Sequence, residues 1–405
     1  MSSSEPAADI VIIGCGVIGL SCAYFLQQLG HRVTLVDRGT VGCGASHGNC
    51  GMISPSHAAP LAVPGLIPQA LRWMWQPDAP LYIKPTLNMR RLAWLVKFAR
   101  RCNWKDYWTS AHAKHALLSR SRVLFDQIIG NEQLNCEFAA VGHLCVYREH
   151  RAFAEAQQSI ETWKTLGIAV EKLDGDQARA LEPALNDQIV GALLTPQDAH
   201  LRPDRYVAEL ARVVVARGAL LRLNTDVYGF EYEDSRVTAL RTSGGRIAAQ
   251  RVLLATGAWS PELGGQLGMR LPIEPAKGYS ITMSRPALTP TRSIVFRERG
   301  VAVTPWPSGY RLGSTYEFSG FDKSLNPIRF NALRRAAGEY LRDPLGEFIE
   351  EEWVGFRPMT PDGLPVMQLA PALSNAWVAA GHGTLGMSMS PATGERMAEL
   401  IGPPG

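Results

Sequence analysis

The first readable unit of the chain is an unbroken apolar run, Ile10-Val-Ile-Ile13, followed by glycines at 14, 16 and 19 and a helical pattern from Val17 to Leu29. A run with no polar alternation predicts a parallel strand buried on both faces. A second β-branched run, Arg32-Val-Thr-Leu-Val-Asp37, predicts its neighbour, giving strand, glycine turn, helix and strand. Beyond this unit, 3.6-residue periodicity predicts helices over Ala111–Ile129, residues 150–166, a short capped piece within Leu173–Leu185 that stops before Pro183, and a helix from Asp204, its cap, to about Arg217. Two more are expected, from about Ile328 to Leu341 and at the end to Ile401. Strands are expected at Phe138–Tyr147, Leu220–Phe230, Arg251–Ala255, Ile273–Met283, Ile294–Phe296, Val301–Thr304, Tyr310–Gly313 and Trp377–Ala380, with a hairpin around Asp234-Ser235 and Ser243-Gly244-Gly245. The strand density between Pro272 and Trp353 reads as an antiparallel sheet.

One helix carries two readings. Between residues 69 and 108 the chain is rich in tryptophan and arginine, with Arg72-Trp-Met-Trp75 and then Asn88 to Arg101. Met89, Leu92, Ala93, Val96 and Ala99 fall on one stripe, with Arg90, Lys97, Arg100 and Arg101 around it. The stripe is expected to pack on the core. The alternative is a basic amphipathic helix lying on an anionic membrane.

Composition narrows the class without choosing a function. The 405 residues are 46% hydrophobic and 19% charged, which suits an ordinary globular chain of about two domains. A net charge of +4 gives no ground for a nucleic-acid partner. Seven cysteines without a CxxC pair point to reduced thiols in the cytoplasm and to no metal site. The leader Met1-Ser-Ser-Ser-Glu-Pro6 lacks the basic start of a signal peptide, and no apolar run is long enough to span a bilayer.

The glycines carry the chemistry. Gly14, Gly16 and Gly19 have the spacing that lets a chain turn tightly, admit a pyrophosphate to its backbone and pack a helix on a strand. The helix start presents unpaired N–H groups to phosphate, and Asp37 at the end of the second strand can accept from ribose hydroxyls. The loop from Gly39 to Pro55 is dense in small residues, with Ser46 and Asn49 as side-chain donors. A second apolar strand ends in Ala255-Thr-Gly257, and no second glycine fingerprint with its acid follows, so no separate NAD site is expected. Near the end stand Gly355-Phe-Arg-Pro358 and Gly381-His-Gly-Thr-Leu-Gly386. A guanidinium such as Arg357 forms paired bonds to a carboxylate.

The glycine-rich loop with Ile53-Ser-Pro, the Ala-Thr-Gly strand end, Gly-Phe-Arg-Pro and Gly-His-Gly-Thr-Leu-Gly together resemble the bacterial flavin-dependent D-amino acid dehydrogenases, within the wider group of D-amino acid, glycine and sarcosine oxidases. The resemblance implies an α/β chain, α+β overall: a Rossmann-like FAD-binding domain from residues 1–60, 197–265 and 355–405, and a mixed or antiparallel-sheet substrate (cap) domain from 61–196 and 266–354. It implies non-covalent FAD. The cofactor contacts would be Gly14, Gly16, Val17, Ile18, Gly19, Asp37, Arg38, Ser46, Asn49, Gly51, Met52, Ile53, Val227, Thr256, Gly257, Gly381, Gly383, Thr384, Leu385, Gly386 and Met387. Backbone N–H groups of residues 383–387 would face the N1–C2 edge of reduced flavin. Some relatives attach flavin through histidine or cysteine, and His47 and Cys50 stand nearby in sequence.

Arg357 would grip the substrate carboxylate, with Tyr279, His57 and Tyr316 as further substrate contacts. No residue stands out as a catalytic base, and His382 is expected to pack rather than react. The implied reaction oxidises a D-amino acid to its imino acid by hydride transfer from Cα to flavin N5. The product hydrolyses to a keto acid, or stays a cyclic imine for substrates such as D-proline and cis-4-hydroxy-D-proline. No acid that would select a basic side chain is evident, so neutral or cyclic substrates are expected. Electrons would pass to a quinone or another acceptor, with peripheral contact at the inner face of the cell membrane as the companion expectation. The rivals are a glycine- or sarcosine-type oxidase using oxygen, an accessory flavin-binding subunit of a larger complex, and a plain NAD-binding protein.

Overall fold

The computed structural model describes residues 8–73, 81–85 and 87–404. The leader and Met74-Trp75 lie outside the described residues. Ile10–Ile13 forms the centre of a six-stranded sheet, flanked in parallel by Val33–Val36 and Val252–Leu254. The order runs Val366–Leu369, Ala376–Ala380, Val252–Leu254, Ile10–Ile13, Val33–Val36, Leu220–Arg222, and only Val366–Leu369 is antiparallel to its neighbour. Ile10, Val11 and Ile12 are fully buried because helices cover one face and a three-stranded meander, Val227–Ala248, packs near the other. The first helix, Val17–Gln28, packs against the last, Gly386–Ile401, so the two ends of the chain share one layer.

The second sheet is mixed. Its order is Ile349–Met359, Glu274–Met283, Gly309–Phe318, Val301–Trp306, Ser293–Phe296, His143–Tyr147, Gly191–Thr195, Glu171–Asp174, with Leu81–Ile83 added in parallel to Gly309–Phe318. Helix Pro327–Tyr340 closes one face over Tyr279, Ile281 and Leu312. Strand Ile349–Met359 runs unbroken across residue 355, where a domain boundary was expected.

Several local expectations change. Leu220–Phe230 divides into two strands of different sheets, because Asn224 turns the chain at φ 50°. Only His143–Tyr147 of the expected Phe138–Tyr147 strand forms, apart from one bridge at Ala139. The helix at 203 is started by Pro203 in its first turn with Arg202 at the cap, and Asp204 pairs with Arg202 instead of capping.

The largest reversal concerns helix Met89–Arg101. Met89, Leu92 and Val96 are 74%, 54% and 45% exposed, and the opposite face is buried. Arg91 binds Glu274 at 2.8 Å, the Trp94 indole N–H donates to the carbonyls of Pro272 and Met359, and Phe98 stacks on Trp94. A large aromatic with a satisfied N–H and a buried ion pair outweighs a stripe of smaller aliphatics.

Candidate active site

One cavity of about 1640 Å³ runs between the two sheets, from Asp37 and Val227 to Arg357 and beyond. Its nucleotide end is made mostly of backbone. Gly14 adopts φ +114° and donates to Val36 O at 2.7 Å, which turns the chain over the strand ends. A Cβ on Gly19 would lie 1.9 Å from Gly14 O, so helix and strand meet here only through glycine. The Val17 N–H donates to Ser46 Oγ at 3.0 Å, which ties the glycine-rich loop to the helix start and leaves the serine proton for an acceptor in the cavity. Asp37 accepts from Cys15 N and Gly39 N at 2.7 and 2.9 Å, one on each carboxylate oxygen. Each oxygen keeps a second lone pair suited to ribose hydroxyls. Arg38 lies over the Trp259 ring at 4.2 Å, forming a flat wall beside Val227, Thr256 and Gly257.

The loop is held from behind. Asn49 donates to the carbonyls of Ala45 and Ser46 and accepts from Gly51 N, so its amide shapes the loop. Buried Arg311 donates to the carbonyls of His47 and Asn49 and to Thr282, and Ser280 donates to Gly48 O. Met52 and Ile53 pair with His200 and Ala199, and Ser388 of the last helix donates to Met52 O. His47 turns outward to Glu351 at 3.0 Å. Cys50 lines the cavity, its thiol pushed up by burial while Arg311 and Arg357 pull the other way.

At the other end of the loop's reach, His382 to Met387 enter the cavity wall, and Gly381 stands behind it. Gly383 N–H is engaged by Pro358 O and Leu385 N–H by His382 O, so two of the five donors expected to face a flavin are already bonded. Gly386 and Met387 open the helix, and their N–H groups have no acceptor inside it. His382 is buried, bonds Thr393 Oγ1 at 3.0 Å, and is pushed down to about 3 by burial, so it is a neutral packing residue.

Arg357 sits on strand Ile349–Met359 with its guanidinium over Gly278, where a Cβ would lie 2.4 Å from Cζ. It stacks 4.8 Å from the Tyr316 centroid and donates to Thr315 O; among the described residues no carboxylate pairs with it. Tyr316 and Arg357 are therefore together. Tyr279 borders the same cavity, but alternation along its strand turns its ring away from Arg357, and its hydroxyl donates to Glu317 at 2.8 Å beneath Phe330. His57 lines the cavity farther on and meets His143 edge-on at 5.4 Å. Sequence reasoning missed Trp259, Trp353, Arg311, Lys114 and Arg297. Lys114 did carry a signal, since it interrupts the buried heptad stripe Tyr107, Ala111, Leu118, Ser121, Phe125, Ile128 of helix Trp104–Glu132.

These features fit an FAD: a glycine cradle, two helix starts and an acid at the ribose position, all on one elongated cavity. The chain matches the family described as "DAO: FAD dependent oxidoreductase" over residues 9–400. The chain belongs to this family. It is an FAD-dependent oxidoreductase of the amino acid dehydrogenase and oxidase type. It is 33% identical to a D-amino acid dehydrogenase from Xanthobacter autotrophicus, across 97% of this chain and 95% of that protein. Among solved structures, glycine oxidase from Bacillus cereus superposes with a TM-score of 0.77 at 22% identity, covering 98% of this chain and 95% of that one. L-proline dehydrogenase from P. horikoshii gives 0.74 at 20% identity, covering 98% and 94%. These two likenesses establish the fold.

Proposed function

We propose that this protein oxidises D-amino acids to imino acids, with Arg357 holding the substrate carboxylate. The observation that carries it is Arg357 itself: a guanidinium on the cavity wall, braced by Tyr316 and Thr315, with no acidic partner among the described residues. When bound, FAD supplies the acceptor for the hydride from Cα. The chain's part is to fix the carboxylate, orient Cα and exclude water, which is most of what such a transfer needs. FAD is held without a covalent bond in this reading; His47 faces Glu351 outside the cavity, and burial keeps the Cys50 thiol protonated. The name of the Xanthobacter relative, a D-amino acid dehydrogenase, supports the D configuration and an electron acceptor, which this reading takes to be a quinone or another carrier. The substrate side chain carries no positive charge, because the cavity beyond Arg357 is lined by Lys114 and Arg297. Neutral and cyclic substrates, D-proline and cis-4-hydroxy-D-proline among them, belong to that set. A dye-coupled screen of D- and L-amino acids, glycine, sarcosine and both prolines tests the reading. Turnover of L-amino acids alone overturns it, and peroxide release with glycine or sarcosine favours the oxidase alternative.

The exposed stripe of helix Met89–Arg101 supports a peripheral contact with an anionic membrane at the inner face of the cell. Met89, Leu92 and Val96, with fully exposed Leu87 beside them, stand among Arg90, Lys97, Arg100 and Arg101. Apolar insertion and attraction to acidic headgroups act together on such a face. Among the described residues no helix is long and apolar enough to cross a membrane. Flotation with vesicles containing acidic phospholipid tests it: wild type floats, and Leu92→Glu with Val96→Glu stays behind. Equal flotation of both removes this surface.

A further inference from the structure

The cavity continues past Arg357 into a lobe whose charges the reaction described above does not use. Lys114 lies on its wall, 5% exposed, on the inward stripe of its helix, with Nζ donating to Ala59 O at 3.0 Å. Burial pulls this ammonium down to about 8. Arg297 lines the same lobe, and among the described residues no carboxylate pairs with either cation. The two acids of the wall are engaged elsewhere. Glu155 binds Arg151, and Glu298 accepts from Arg148 N, Glu149 N and the Tyr340 hydroxyl.

His57 stands between the two cations' fields and is pushed down to about 4, first by burial and then by Arg297 and Lys114. Asp198 fixes the neighbouring Ser56 through both its backbone N–H and its hydroxyl. The ligand atoms of His57, His143 and Cys145 lie within 4.8 Å of one another, a grouping that could hold a metal. Lys114 and Arg297 beside His57 set the opposite sign of potential there, and His143 Nδ1 is already bonded to Ser293. A buried ammonium with an exposed guanidinium beside it, neither in an ion pair among the described residues, favours an anion.

The lobe and Arg357 border one cavity. Lys114 holds the carbonyl of Ala59, while Leu61, two residues on, packs in the cluster that contains Met359 and Tyr316. Two residues span at most about 7 Å.

We propose that Lys114 and Arg297, with the His57 imidazole beside them, form a second anion subsite that takes a carboxylate at the far end of the substrate, so that dicarboxylic D-amino acids are the preferred substrates. The proposal rests on the reading of Arg357 as the α-carboxylate clamp, and it moves the expected side chain from neutral to acidic. An ammonium held out of water recognises a carboxylate far better than the isosteric amide, and the exposed Arg297 guanidinium adds a weaker, solvent-screened attraction.

The test uses the FAD-loaded enzyme and the pairs D-glutamate with D-glutamine and D-aspartate with D-asparagine. In at least one pair the acid is expected to exceed the amide in kcat/KM by about 30-fold. Lys114→Met is expected to bring that ratio to within about threefold of one, and Arg297→Gln to lower it by about fivefold, mainly through KM. An amide that equals or beats its acid in both pairs overturns the subsite, and this wild-type comparison stands even if a variant fails to fold. Perturbation of flavin absorbance by glutarate against butyrate gives a readout without turnover. Tighter binding of glutarate, lost in Lys114→Met, supports the subsite; equal binding overturns it. If no D-amino acid is oxidised at all, the proposed activity falls, and the glutarate and butyrate titration still decides the subsite.

Discussion

The two ends of the cavity are built from different materials. At the nucleotide end, contacts come from backbone N–H groups, small residues and one acid, drawn mainly from Ile10 to Ser46. At the substrate end they come from long side chains on distant elements: Arg357 and Tyr316 on separate strands, Lys114 on a helix, Arg297 after another strand. The first end tolerates little change in volume, because helix and strand are already in contact at Gly19. The second tolerates volume change but not a change of charge, because among the described residues Arg357, Lys114 and Arg297 are in no ion pair.

Substitution at each end separates the two kinds of construction. Gly19→Val, which places a side chain onto Gly14 O, is expected to cost about 3 kcal/mol or more and to leave little folded, yellow protein. A normal melting temperature with full flavin would break the contrast. Arg357→Ala is expected to fold and keep FAD while kcat/KM drops on the order of 10²-fold or more, through loss of a charge-assisted pair. Arg357→Lys should recover only part of this, since a point charge does not replace the guanidinium fork. Unchanged kinetics would remove Arg357 from the site. Asp37→Ala is expected to weaken FAD retention on dialysis and to cost about 2 kcal/mol as well, because Cys15 N and Gly39 N lose their acceptor. Full flavin occupancy after dialysis would count against its ribose role.

The last expected effect is in pH dependence. Burial pushes His200 down to about 4 and His382 to about 3. Between pH 6.5 and about 4 the unfolded chain binds protons at these positions and the folded chain does not. Stability therefore rises with pH across that window and falls on acidification, by up to about 1.4 kcal/mol per unit for each histidine. Denaturant midpoints for wild type and His200→Gln from pH 4 to 7 measure it; identical slopes would place the acid sensitivity elsewhere.

The helix at Met89 shows where pattern reading loses its hold. Periodicity found the helix, and it identified Met89, Leu92 and Val96 as one face. It could not say that this face is the outer one, because the decision belongs to Glu274, Pro272 and Met359, which are far away in sequence and receive Arg91 and Trp94. Tyr279 is similar. Its strand was legible, but which face met the cavity depended on pairing with Val354 and on the cover given by Phe330. A register of period two moves a side chain across the sheet for each residue of offset.

What the sequence determined by itself is the local chemistry of the opening unit: a buried strand, a turn that only glycine permits, a helix start and an acid, all within a few dozen residues. That information is local because backbone conformation and short-range packing are local. It also supplied Arg357 and the closing glycine turn as marks of the family. Tertiary structure alone decided that Arg357 has no acidic partner among the described residues, that Lys114 opens into the same cavity, and that the aliphatic stripe of one helix faces outward. Charge compensation and burial depend on which distant segments meet, and that pairing is settled only when the two sheets close around the cavity.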